Sequence, residues 1–141
     1  MAEVIARRSV DARHRSDITV ASAGTSAWDG APASDGALLV ALEHGLDLNG
    51  HRATMLSRDL VKAASLILVM SPHHAERAVV LGGAGRTHLL TDFASRSTNG
   101  QPVQDPFGGE LDQYRRTFDE LTGEISAALD RIAGGHGADT A

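Results

Sequence analysis

The 141 residues are 42% hydrophobic, 22% charged and 4% aromatic, enough for one domain whose core needs no covalent staples. Without a cysteine, these residues hold no disulfide, no thiolate-bound zinc, no iron–sulfur cluster and no thiol nucleophile of their own. A formal net charge of −5 with no basic stripe argues against nucleic acid, and the longest apolar run, residues 63–70, is too short to span a bilayer.

In chain order, Met1 to Arg15 contains a helical stretch with Val4, Ile5 and Ala6 on its apolar side and no capping residue before it. There is no basic start leading into an apolar run, so no secretory leader is read, and a cytoplasmic protein is expected. Ile18 to Gly24 reads as a short strand ended by glycine, and Thr25 to Ala33 as a turn-rich loop. Ser34-Asp35 starts a helix with Leu38, Leu39, Ala41 and Leu42 as its apolar face and Gly45 at its C-terminal cap. Ser57 is a second cap, opening a short helix over Arg58 to Ala64. Ser65 to Met70 is a continuous apolar run of the kind a strand buried on both faces needs. Ser71-Pro72 begins a helix, with proline at a tolerated first-turn position, that runs to about Leu81 before Gly82-Gly83. Thr87 to Leu90 is a weak strand and Arg96 to Pro106 a polar loop. A long helix follows from Leu111 to Ile132, its stripe of Leu111, Tyr114, Phe118, Leu121, Ile125, Leu129 and Ile132 stepping by three or four. Gly134 to Ala141 reads as a frayed tail, which places one domain over residues 1–133 and a flexible tail over 134–141. The alternation of strands and helices points to the α/β class, an open parallel sheet with helices on both faces.

In such a sheet the ligand sits at the carboxyl ends of the strands, so the loops after Ala23, Met70 and Leu90 are the places to search. Trp28, the only tryptophan, is either a loop-packing residue or a ligand wall. Asp105, held extended by the proline after it, is either a turn residue that caps the next helix or a functional carboxylate at the rim. His51 is a loop anchor or a site residue. The adjacent His73 and His74 point about a quarter-turn apart on a helix, and no histidine pair has metal-ligand spacing. There is no nucleophile elbow, no Gly-x4-Gly-Lys loop and no Gly-x-Gly-x2-Gly fingerprint.

Taken in order, the pieces resemble one family. Met1-Ala2-Glu3, Ser22-Ala23-Gly24-Thr25 with Trp28, His51-Arg52-Ala53, Leu66 to Met70 and Asp105-Pro106-Phe107-Gly108-Gly109 look like the low-molecular-weight protein phosphatases. The resemblance runs from Met1 to about Ile132, and the Asp105 to Gly109 stretch followed by Tyr114, Thr117, Glu120 and Leu121 looks most like the bacterial arginine-phosphatase branch. It implies hydrolysis of phosphotyrosine or phosphoarginine on protein substrates through a cysteinyl-phosphate, with no cofactor or metal. A thiolate in a Cys-x5-Arg-Ser/Thr loop attacks phosphorus while backbone N–H groups cradle the phosphoryl oxygens. By that match Asp105 is the general acid, Trp28 and Phe107 wall the substrate side chain, and Ser22 and His51 support the phosphate loop.

The departure from the family is equally specific. In the family, Met-Ala-Glu directly follows the Arg-Ser-Pro that ends the phosphate loop; here it is residues 1–3. The nucleophile, the phosphate-binding arginine and the first, central strand of the family's 2-1-3-4 sheet are therefore missing, and these residues alone are expected to be inactive. Strands about 4.8 Å apart cannot pair across a vacancy one strand wide. Four or five apolar side chains at about 1.5–3 kcal/mol each come to about 10 kcal/mol, comparable with the whole stability of a domain. The chain alone is thus expected to be unstable, to aggregate or to rearrange. Three readings follow: an incomplete phosphatase whose coding sequence starts upstream, a truncated pseudophosphatase serving as a protein-binding module, and an arsenate reductase. The third is disfavoured because no resolving thiol is present. Oligomeric state stays open.

Overall fold

The structure, a computed structural model, describes residues 1–25, 29–97 and 100–139, with the backbone alone over 134–139. It is an α/β arrangement in which a parallel sheet is flanked by helices. The helices are α1 (Ala2–Ala12), α2 (Asp35–Glu43), α3 (Arg58–Ala63), α4 (Pro72–Ala78), α5 (Leu90–Ser95) and α6 (Leu111–Asp139), and the strands are β1 (Ile67–Val69) and β2 (Thr87–Leu89). A π-helical turn over Val79–Gly83 follows α4.

The helical side of the core is closed. α6 packs against α1, α2 and α5, and its stripe of Tyr114, Phe118, Leu121, Ile125 and Leu129 is buried as the spacing predicts. Phe118, Leu48, Leu90, Val40 and Val61 are the largest fully buried side chains. Arg13 of the loop after α1 clamps α6 through Asp130 at 2.7 Å, and the Arg131 guanidinium lies 4.2 Å above the Phe93 ring.

α2 corrects the expected apolar face. Ala37, Val40 and Ala41 are buried, whereas Leu39 and Leu42 are 52% and 57% exposed. The helix meets α6 along a narrow i, i+3, i+4 stripe, and His44, one turn beyond Val40, stacks on Phe118 at 4.1 Å. Its end is as expected. Gly45 has φ +75, and the bonds Gly45 N–H to Leu42 O (3.0 Å) and Leu46 N–H to Ala41 O (2.8 Å) make a Schellman motif. Ser57 also caps α3, accepting from the Leu60 N–H at 3.3 Å.

The sheet side is thin. β1 pairs with β2 in parallel, Ile67 opposite Thr87, Leu68 opposite His88 and Val69 opposite Leu89. Among the described residues β1 has no neighbour on its other edge. The expectation of a strand buried on both faces therefore fails: Val69 is buried, but Leu66, Ile67, Leu68 and Met70 are only half-buried. The predicted strand over Ile18 to Gly24 is likewise not a strand, since a ladder needs an adjacent edge and none is described beside it. It keeps the pattern of one: Ile18 and Val20 are half-buried against the core, Thr19 and Ala21 exposed. Gly24 alone makes an isolated parallel bridge, to Met55. Arg86 fastens α3 to the π-helical turn by donating to the carbonyls of Val61 (2.9 Å), Ala64 and Gly82 (2.9 Å).

Candidate active site

The loop carrying Asp105 is fixed at the carboxyl end of β1. Val103 is buried, and its N–H donates to Met70 O at 2.8 Å, one residue past the strand. Asp105 precedes proline, which disfavours helical backbone there, and its Oδ1 accepts from the Phe107 N–H at 2.9 Å, an Asx-type turn. A second turn bond, Gly109 N–H to Pro106 O at 2.8 Å, leads into α6. The two bonds leave the carboxylate exposed at the rim and turn the Phe107 ring outward, where it is 76% exposed. An aromatic ring so placed contributes to no core.

Asp105, Pro106 and Phe107 line one side of a cleft of about 250 Å³. His51 and Ala53 line it from the loop before α3, the segment Ala31–Ser34 from the loop before α2, and Met1 from the head of α1. The structure thus brings three of the expected site residues, Asp105, Phe107 and His51, into one cavity. Ser22 is not among the lining residues: its hydroxyl donates to Glu3 Oε1 at 2.8 Å, and Glu3 pairs with Arg7 at 3.3 Å. Trp28 lies outside the described residues.

Two lining residues escape sequence reasoning. The Ser34 hydroxyl, assigned to a helix cap, makes no cap bond and instead donates to the Tyr114 phenolic oxygen at 3.2 Å. Tyr114, assigned to the apolar stripe, puts its ring in the core and its edge at the cleft. The available signal was one hydroxyl in an otherwise aliphatic and phenyl stripe. Asp105 acts on a perturbed titratable group, His74. Burial lowers its pKa first and the neighbouring His73 lowers it further, while the Asp105 charge acts in the opposite direction. The cleft can therefore present a carboxyl group, an aromatic wall, an imidazole and a hydroxyl pair to a ligand side chain. It offers no thiol, because the sequence has none.

Residues 1–134 match the family described as low molecular weight phosphotyrosine protein phosphatase. The chain is 34% identical over 106 residues to the low molecular weight protein-tyrosine-phosphatase PtpB of Staphylococcus haemolyticus, covering 74% of this chain and 73% of that one. It is 33% identical over 118 residues to the protein-arginine-phosphatase of Geobacillus stearothermophilus, covering 82% and 75%. A crystal structure of a YwlE mutant from Bacillus subtilis superposes with a TM-score of 0.85 at 26% identity, covering 94% of this chain and 88% of that one.

Proposed function

The chain belongs to the low molecular weight phosphotyrosine protein phosphatase family, and from that premise we propose that it carries the substrate-binding and proton-donating half of a protein phosphatase site. Its substrates are phosphorylated protein side chains, phosphotyrosine or phosphoarginine. One observation carries the reading. Met1 at the head of α1, Asp105, Phe107 and His51 line the same cleft. A phosphate loop joined at Met1 would open onto the Asp105 carboxyl. In the first step a thiolate of that loop attacks phosphorus while the Asp105 carboxyl gives its proton to the departing oxygen or nitrogen. In the second, the Asp105 carboxylate takes a proton from water as that water attacks phosphorus, the P–S bond breaks, and the thiolate and inorganic phosphate are released. Phe107 walls the substrate side chain, and His51 supports the loop. Trp28 is assigned as the second wall and Ser22 as a second support, on the family resemblance alone.

None of these 141 residues is a cysteine, so the attacking thiolate is not among them and alone they turn over no phosphate ester by this route. The test is a chain preceded by a strand and a Cys-x5-Arg-Ser-Pro loop, assayed on phosphotyrosine and phosphoarginine peptides. Turnover should appear with the loop and fall about 10²–10⁴-fold with Asp105→Asn. Turnover by the 141 residues alone, or indifference to Asp105→Asn, overturns the reading. The missing thiol also favours a second reading, a pseudophosphatase that binds proteins without turnover. Stoichiometric phosphopeptide binding by the chain as it stands, measured by calorimetry, would support it.

A further inference from the structure

Ser71, His73 and His74 form a cluster of titratable and hydroxyl groups that the family resemblance does not use. Ser71 occupies the capping position of α4 with extended backbone, yet its side chain makes no cap bond. Its Oγ instead lies 2.9 Å from His73 Nδ1 and 3.1 Å from His74 Nδ1. The two adjacent side chains converge on one hydroxyl rather than pointing a quarter-turn apart, and their ring centroids are 4.1 Å apart. A hydroxyl has one proton. If it donates to one Nδ1, the other ring must carry its proton on Nδ1 and donate to Oγ. Two imidazolium rings at this separation repel, so His73 disfavours the charged form of the His74 ring.

A backbone hydrogen bond ties the cluster to the acid-bearing loop. The Val103 N–H to Met70 O bond, at 2.8 Å, joins the residue before Ser71 to the residue two before Asp105. We infer that Ser71 and His74 are positioning residues for Asp105: the Ser71 hydroxyl orients the half-buried His74 ring, and the charge on that ring decides whether the Asp105 carboxyl faces a cation. Other charges are accounted for on each element packed against α4. β1 and the π-helical turn contain no titratable residue. β2 brings His88, whose ring lies 5.6 Å from Phe93. α5, which packs on β1 and β2, carries Asp92, whose Oδ1 accepts from the Gly100 N–H at 2.9 Å. α4 itself carries Glu76 and Arg77, both exposed. The groups acting on His74 are His73, which opposes its charge, and Asp105, which favours it.

The consequence concerns the proton donor, and so rests on the general-acid role proposed for Asp105. Burial keeps His74 neutral to a lower pH than an ordinary histidine. A neutral ring leaves the Asp105 carboxyl without a cationic neighbour from this cluster, and acidification supplies one.

The experiment is a histidine ¹⁵N and ¹H NMR titration of the full chain. Asp105→Asn should lower the His74 midpoint by roughly 0.2–0.7 pH unit, the range an exposed charge pair produces. Ser71→Thr should retain the ring's nitrogen tautomer signature, and Ser71→Val, isosteric with that threonine, should lose it. An unmoved His74 midpoint in Asp105→Asn overturns the inference, as does an unchanged tautomer signature in Ser71→Val. Asp105 is exposed, so its amide variant keeps the fold. None of these readouts uses turnover. A His74 midpoint that moves, together with turnover by the loop-bearing chain that is indifferent to Asp105→Asn, would therefore sink the acid role alone; an unmoved midpoint with that turnover impaired would sink only the positioning pair.

Discussion

Gly36 offers a test whose sign depends on two opposed effects. It is the second residue of α2, where alanine would ordinarily improve the helix by at most about 1 kcal/mol. A Cβ at Gly36, however, would lie 2.6 Å from Tyr114 Cδ2 and 2.7 Å from Tyr114 Cζ, well inside contact distance. The ring has no easy retreat, because Tyr114 is 5% exposed in the main cluster and its oxygen is tied to Ser34. Forcing one carbon into such a site costs about 1–3 kcal/mol. Gly36→Ala should therefore destabilise by about 1–2 kcal/mol net, read as a lower urea midpoint at constant m-value. With Tyr114→Ala as background the clash disappears and the helix preference remains, so Gly36→Ala should become neutral or stabilising, a coupling measurable as a double-mutant cycle. A raised midpoint for Gly36→Ala in the unaltered chain would refute the packing argument, and with it the claim that this ring forms a fixed wall of the cleft.

The ion pair between Arg115 and Glu43, at 2.7 Å, lowers the Glu43 pKa through the guanidinium hydrogen bond. Its stabilising effect is present above the unfolded carboxylate value and lost as pH falls through the folded one, so Arg115→Ala should lower the melting midpoint more at pH 7 than in acid. Glu124 behaves in the opposite sense. Burial first, and Glu120 one turn earlier, raise its pKa, so its charge weakens the fold as pH rises, and Glu124→Gln should raise the melting midpoint at pH 7 but not at pH 4. In native-state hydrogen exchange, amides of β1 and of residues 18–23 should open well below the energy of the central α6 amides, because among the described residues β1 pairs on one edge only and residues 18–23 join no ladder. Equal protection in both regions, in one cooperative transition, would show that the open strand edge costs the fold little.

What the sequence made legible follows from how local each cause is. The α6 stripe is legible because 3.6-residue periodicity is a property of one helix, and every core position from Tyr114 to Leu129 is found buried. Ser57 and Gly45 are legible because a cap is chemistry within four residues. α2 misleads because Ala37 to Leu42 is apolar at every position, so that periodicity cannot choose a face; α6 makes the choice, leaving Leu39 and Leu42 outside. α5 escapes because its six residues follow directly on β2, and Leu90 reads as the end of that strand.

The site divides in the same way. Asp105 and Phe107 could be found because a residue before proline, followed by an aromatic and two glycines, is an unusual local arrangement. The Ser34–Tyr114 pair could not, since its members are 80 residues apart and each has a sufficient local explanation. Ser71 with His73 and His74 lies within four residues and still misleads. Helical spacing alone separates the two rings, and only the extended backbone at Ser71 turns its hydroxyl back between them. The half-burial of Leu66, Leu68 and Met70 has a different origin. Their composition is that of a strand covered on both sides, and one edge of that strand has no partner among the described residues. Composition reports the environment for which a segment is suited; pairing decides how much of that environment is present. The mismatch is concentrated at β1 and residues 18–23, the segments beside which the resemblance places the family's first strand, and the carboxyl end of β1 is also where Val103 anchors the Asp105 loop. The weakest part of the fold and the proposed chemistry therefore share one strand end, so a segment that paired with the free edge of β1 would be expected to stiffen the Asp105 loop as it completed the sheet.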